Sequence, residues 1–217
     1  MKITLFFCFG LLLSLFSFGQ TLQVQGGISV SNLDWRYEGM QVDPIYNENL
    51  IATSFFAGVN YLDKKYFNLS SNVGFIRIGG KDEFPISYAN EDISNETVIE
   101  KPTLDYLSIN TLFEAKYTIK DKLAPFVSFG PRFDYLLSSS RHFDGLQDLN
   151  GLNNKAFGLL LGGGVKYDLS TFQIGLRADY YLNFNNVGDW SVSNPSVKGE
   201  VKSNAFTVNL TLAYRLK

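Results

Sequence analysis

The feature that most constrains this chain is an alternation of apolar and polar residues, sustained over segments longer than soluble sheets use. In residues 107–120 the odd positions are Leu107, Ile109, Thr111, Phe113, Ala115, Tyr117 and Ile119, and most even positions are polar. In residues 172–184 the even positions are Phe172, Ile174, Leu176, Ala178, Tyr180, Leu182 and Phe184. Gln173, Gly175, Arg177 and Asp179 fall between them. Residues 206–216 repeat the pattern. A period of two means a strand with two unlike faces. Eight such segments lie near 21–31, 50–62, 66–79, 104–119, 123–138, 156–168, 172–185 and 204–216. Most exceed the five or six residues usual in soluble proteins and can cross a bilayer when tilted.

The connections alternate in length. Those near 63–65, 121–122 and 169–171 are tight, whereas 32–49, 80–103, 139–155 and 186–203 are long. Short turns at one end and long loops at the other are the habit of outer-membrane barrels, as is an even strand count. The expected fold is therefore all-β: an eight-stranded antiparallel up-and-down transmembrane β-barrel. Residues 1–19 read as a secretory signal peptide. Lys2 precedes an apolar run over 3–18, and Ser17-Phe18-Gly19 places small residues ahead of Gln20. An uncleaved N-terminal anchor is the other reading of that segment. Residues 20–217 then form the barrel domain. Their longest apolar run, 156–165, is too short for a spanning helix. A spanning form must close into a barrel, because open strands leave backbone groups unpaired in lipid. This places the chain in the bacterial outer membrane with both termini periplasmic.

Alternation alone does not say which face is inside. A secreted lipocalin-like barrel binding an apolar ligand also has eight strands, with the apolar face inward. Two features favour the membrane. The polar face carries Gly58, Gly74, Gly130, Gly158, Gly162, Gly164 and Gly175, which suit the cramped interior of a small barrel. The apolar face carries aromatics at both strand ends, as membrane interfaces do. An aromatic girdle of Tyr61, Phe67, Tyr117, Tyr167, Phe172 and Tyr214 lies at the short-turn end. Phe55, Phe75, Tyr135, Phe157, Phe184 and Phe206 lie toward the other.

The stretches Pro125-Phe126-Val127-Ser128-Phe129-Gly130-Pro131 and Ala156-Phe157-Gly158-Leu159-Leu160-Leu161-Gly162-Gly163-Gly164-Val165, together with the signal peptide and eight strands, resemble the PorT-like outer-membrane β-barrel family of Bacteroidota. The resemblance runs over the whole mature chain. It implies a barrel in the outer membrane, usually without an assigned activity, and one branch serves the type IX secretion system.

The polar face also carries Glu114, Lys116, Arg132, Asp134, Lys166, Asp168, Arg177, Asp179 and Arg215. Ionised groups in so narrow a lumen must pair, since desolvation costs several kcal/mol each. They are expected to form a lumen ion-pair network that closes the channel. Pro131 falls mid-strand, where it cannot donate to the ladder, so a bulge or an unpaired site is expected there.

With one Cys (Cys8) and one His (His142), no His/Cys metal cage or Cys-His dyad can form. No cofactor is implied. A net charge of −2 does not suit a nucleic-acid partner. His142 has Ser138, Ser139, Ser140 and Asp144 nearby, but in a long loop without rigid support, so no enzyme activity is expected. The first two long loops are acidic, through Asp34, Glu38, Asp43 and Glu48 and through Asp82, Glu83, Glu91, Asp92, Glu96 and Glu100. Trp35 and Trp190 fall in loops that barrel closure makes neighbours, and are expected to form a small extracellular patch. The leading reading is a structural or interaction protein with outer-membrane lipid, including lipopolysaccharide, as its surroundings. An accessory component of an envelope secretion or adhesion machine, with an envelope protein partner, is the alternative.

Overall fold

Among the residues described in the computed structural model ten strands form, and eight of them close a barrel. The structure describes residues 21–38, 44–85, 97–120, 122–148, 151–191 and 198–216. The signal-peptide assignment and the acidic residues Asp43, Glu91, Asp92 and Glu96 lie outside these. The barrel strands are β1 (Thr21–Glu38), β2 (Glu48–Asp63), β3 (Phe67–Pro85), β5 (Thr103–Lys116), β6 (Leu123–Ser139), β7 (Lys155–Leu169), β8 (Phe172–Asn183) and β10 (Lys198–Arg215). Each pairs antiparallel with the next, and β1 closes the ring against β10 from Thr21–Arg215 to Glu38–Lys198. Two short strands, β4 (Thr97–Glu100) and β9 (Gly188–Ser191), add to the outer ends of β3 and β10. A 3-10 turn (Arg141–Phe143) and the helix α1 (Asp144–Asp148) follow β6.

The stagger of the ring follows from the pairing. Starting at Gln23, the register passes through Gly58, Asn72, Asn110, Arg132, Gly158 and Asn183, and the β8–β10 register continued two residues past Tyr181–Ala205 reaches Ser203. It returns to β1 at Leu33, ten residues above its start. A stagger of that size over eight strands tilts them by roughly 35–45° and leaves an interior that side chains can fill.

The strands run further outward than expected. β1 reaches Glu38, β3 reaches Pro85 and β10 begins at Lys198, so much of the predicted long-loop chain is strand. The alternation there changes phase. Low on β1, Leu22, Val24 and Ile28 face outward while Gln23, Gln25 and Ser29 are buried. Higher up, Leu33 and Trp35 are buried and Arg36 is exposed. On β3, Val73 is exposed but Ile76 and Ile78 are buried, with Arg77 exposed between them. On β10, Phe206 and Leu210 are exposed whereas Val201 and Ala205 are buried. The lower barrel has an apolar wall for lipid, and its upper extension has the apolar interior of a soluble barrel. Across the upper β1–β10 seam, Asp34 faces Lys202 and Arg36 faces Glu200, charges that suit water and not hydrocarbon.

Pro131 takes the second of the two expected forms, an unpaired site. The β5–β6 ladder breaks between Asn110–Arg132 and Phe113–Phe129, leaving Pro131 without a partner on β5. The register is the same on both sides of the gap, so no bulge forms there. The shift in this strand pair comes instead at Asp105–Tyr106.

Candidate functional site

The lumen and the cap above it hold the residues able to do chemistry or recognition. Alternation on β5 to β8 turns the charged residues inward, and small residues make room for them. A Cβ on Gly162 would be driven into the Asp179 carboxylate, and one on Gly164 would meet the Phe126 ring at 2.8 Å.

The nine predicted lumen charges form four groups. At the centre, Lys166 pairs with Glu114, whose other oxygen lies 3.6 Å from Arg177. Arg177 also pairs with Asp179 at 2.7 Å and donates to Ser128 Oγ at 2.6 Å. The Phe126 ring lies under both cations, 4.7 Å from Lys166 Nζ and 5.5 Å from Arg177. Above this, Arg132 lies 3.1 Å from Asp134, donates to Asn183 and stacks 4.5 Å over the Tyr181 ring. At the short-turn mouth Arg215 pairs with Asp168, and Lys116 pairs with Asp63. Sequence reasoning missed Asp63. The signal was arithmetic: five cations against four anions left one cation without a partner, and Asp63 stands in the adjacent tight turn.

A second omission is the apolar part of the lumen. Leu33, Ile78, Leu104, Leu136 and Val201 are buried in the upper barrel, above Arg132 and Asp134. The lumen is thus polar below and apolar above.

Tyr117, Tyr167, Phe172 and Tyr214 are exposed on the outer wall, with Tyr61 and Phe67 half-buried at the same end. Phe67 stacks on Phe113 at 5.8 Å, and Phe172 lies 5.2 Å from Tyr214. In the opposite row Phe55, Tyr135, Phe157, Phe184 and Phe206 are exposed and Phe75 is half-buried.

Above the apolar layer the upper strand ends and the connections pack on one another, and Trp35 and Trp190 lie in β1 and β9 instead of the expected loops. Trp35 and Trp190 meet edge-on at 5.4 Å, and Trp35 also contacts Phe143 at 5.5 Å and Tyr46 at 5.9 Å. Trp35 is only 8% exposed and Trp190 is partly buried, so Trp35 is the centre of a small core with Trp190 at its edge. Tyr46 fastens this cap. Its carbonyl accepts from Leu33 N–H at 3.1 Å, its N–H donates to Asp82 at 3.1 Å and its hydroxyl donates to Glu100 at 2.7 Å. His142 Nδ1 lies 3.2 Å from Ser140 Oγ, and Nε2 lies 3.6 Å from Glu100. Glu100, rather than Asp144, is the carboxylate beside it. Ser138 donates instead to Asp105 at 3.1 Å. Among the described residues no three His, Cys, Asp or Glu side chains gather as a metal site.

Burial raises the Tyr46 phenol well above its ordinary value, and the bond to Glu100 adds to the effect. A phenol raised on folding stabilises the cap below its unfolded pKa, about 10. That contribution is lost as pH rises through the folded value. Trp35 fluorescence should therefore shift in strong alkali, and Tyr46→Phe should remove that shift. A Tyr46→Phe protein with an unchanged alkaline transition would disprove the assignment.

Among the described residues no helix is long and apolar enough to cross a membrane; crossing falls to the strands. The fold is similar to the outer membrane protein OprG of Pseudomonas aeruginosa, at a TM-score of 0.54 and 11% identity, covering 91% of this chain and 96% of that one. It is also similar to the outer membrane protein AlkL in lipid bilayers, at a TM-score of 0.50 and 13% identity, covering 92% and 90%. No curated protein matches the sequence. The family whose description is outer membrane protein beta-barrel domain matches residues 7–189, from near the start of the chain into β9. With an apolar outer wall, a closed ring of eight strands and this match over most of its length, the chain belongs to the outer membrane protein beta-barrel domain family.

Proposed function

We propose that this outer-membrane barrel has a structural or interaction role and no enzymatic one: it holds a packed platform above the outer leaflet and keeps its own lumen shut. The observation that carries this is the change of alternation on β1, β3 and β10. It builds an apolar interior above the lipid-facing band, where a loop-crowned pore would keep a polar one. The charges below neutralise one another inside the lumen, and the Trp35 core packs over the apolar layer. Both termini lie in the periplasm in this reading, residues 1–19 are the removed signal peptide, and outer-membrane lipid, including lipopolysaccharide, surrounds the wall.

The resemblance to the PorT-like barrels of Bacteroidota favours a second reading, an accessory part of an envelope secretion or adhesion machine. Extraction from the native outer membrane in mild detergent, followed by mass spectrometry, separates the two. The platform reading expects the barrel with bound lipid and no stoichiometric protein. A stoichiometric envelope partner would replace it with the second.

A further inference from the structure

Among the described residues, several buried polar atoms in the lumen have no hydrogen bond with another protein group, and five of them mark a line up the barrel. The five are Oδ1 of Asn60 and of Asn68, Oγ of Ser70, Nδ2 of Asn209 and Oδ1 of Asp134. Each belongs to a residue no more than 5% exposed. Burying such a group unpaired is costly, and buried water is the usual remedy.

These groups are spread up the barrel. Asn60 and Asn68 flank the tight β2–β3 turn at the periplasmic mouth, and Ser70 faces Asn60 across the two strands. Asn209 lies higher, where its Oδ1 accepts from Ser54 at 2.7 Å and leaves Nδ2 over. Asp134 lies higher again and lines a cavity of about 20 Å³ with Arg132 and Asn183. A space of that size holds one water. The wall bearing the lower groups is built of amides and hydroxyls. Gln23 donates to Asn72 at 2.6 Å and Asn72 to Asn110 at 2.8 Å. The central charges stand across the lumen from it, on β5 to β8. Over the cavity comes the layer of Leu33, Ile78, Leu104, Leu136 and Val201. An apolar constriction of this kind excludes water and so blocks ions.

We propose that the lumen holds a blind file of ordered water, entering from the periplasm and ending at the Arg132–Asp134 cavity, and that the apolar layer above is the gate that stops it. The inference rests on the closed-lumen reading and adds where the water lies and what stops it. The lower barrel is then a half-channel, and one layer of side chains separates it from the cap.

The test uses the whole refolded protein in planar bilayers, with salt as the probe. Wild type should show no steady conductance. A variant carrying Leu33→Ser, Leu104→Ser and Val201→Ser should show steady openings, provided its heat-shifted gel mobility reports a folded barrel. Adding Ser70→Val and Asn209→Leu to that variant should reduce the openings. A conducting wild type would overturn the closed lumen, and the gate with it. A silent wild type with a folded but silent triple variant would overturn the gate alone. Openings unchanged by Ser70→Val and Asn209→Leu would overturn the path. If the triple variant does not fold, magnetisation transfer from water in the wild type decides. Transfer should reach the Asn60, Asn68 and Asn209 side-chain amides and not the Leu33 or Leu104 methyls; its absence at the amides would overturn the file.

Discussion

Glu114→Ala is expected to destabilise the barrel by about 3–5 kcal/mol, the cost of leaving a buried charge without its partner. Glu114 is 1% exposed, Lys166 6% and Arg177 4%. Glu114 is the one carboxylate that contacts both cations. Arg177 keeps Asp179 when it is removed, but Lys166 keeps only the face of Phe126. A cation over an aromatic ring is worth about 2 kcal/mol when desolvated, less than the paired charge. The contrast with the surface is direct. Arg36 and Asp34 sit 2.5 Å apart, yet the arginine is 57% exposed, and an exposed pair contributes about 0–1 kcal/mol. Denaturant unfolding of the barrel in lipid vesicles, followed by Trp fluorescence, gives the comparison. Glu114→Gln should cost less than Glu114→Ala, because an acceptor remains. Glu114→Leu combined with Lys166→Met should recover most of the loss, since neither charge is then left alone. A Glu114→Ala protein within about 1 kcal/mol of wild type would show that water solvates Lys166 well enough to do without Glu114.

The lipid-facing half of the fold was legible in the sequence because a two-sided strand in hydrocarbon has no latitude. Leu210 and Leu212 must face tails, and Asn209 and Thr211 must face the lumen. The upper half was not legible because the same period of two continues while its meaning reverses. Leu33 and Trp35 share the parity of Gln23 and Gln25, so a reading that keeps one phase along β1 sees only a broken pattern and assigns a loop. The reversal occurs where the surrounding medium changes from lipid to water, which single segments do not show. The charged residues were found by their inward parity, but their grouping was not. Which cation meets which anion depends on the stagger between strands, and parity carries no information about that. Trp35 and Trp190 could be placed together from closure alone. Burial of Trp35 depends on Phe143 and Tyr46, which reach it from connections with no periodic pattern.

Gly130→Ala is the second large effect expected, and it follows from the gap beside Pro131. Along β5 the odd residues exchange ladder bonds with β6, as the bond from Tyr117 N–H to Pro125 O at 3.0 Å illustrates. Thr111 occupies the same parity and faces Pro131, which has no N–H to give. The two strands keep their register across this place without a bulge, so their backbones stay close where a bond is missing. Gly130 makes that approach possible. A Cβ there would strike the Thr111 carbonyl oxygen and lie 2.9 Å from its carbon and 3.0 Å from Leu112 Cα. All three obstacles are backbone, so no side-chain rotation relieves them. Overpacking costs about 1–3 kcal/mol where neighbours can adjust, and here they can adjust only by parting strands in the middle of the membrane. Gly130→Ala should therefore lose at least that much, read as a lower unfolding midpoint and a smaller heat-shifted fraction on a gel. Gly145→Ala is the matched control. It lies in α1 with nothing within 4 Å of the added carbon, and a helical alanine is better than glycine by about 1 kcal/mol or less. Equal behaviour of the two variants would mean that the β5–β6 seam is loose enough to accept a side chain, and that Pro131 rather than Gly130 sets its spacing.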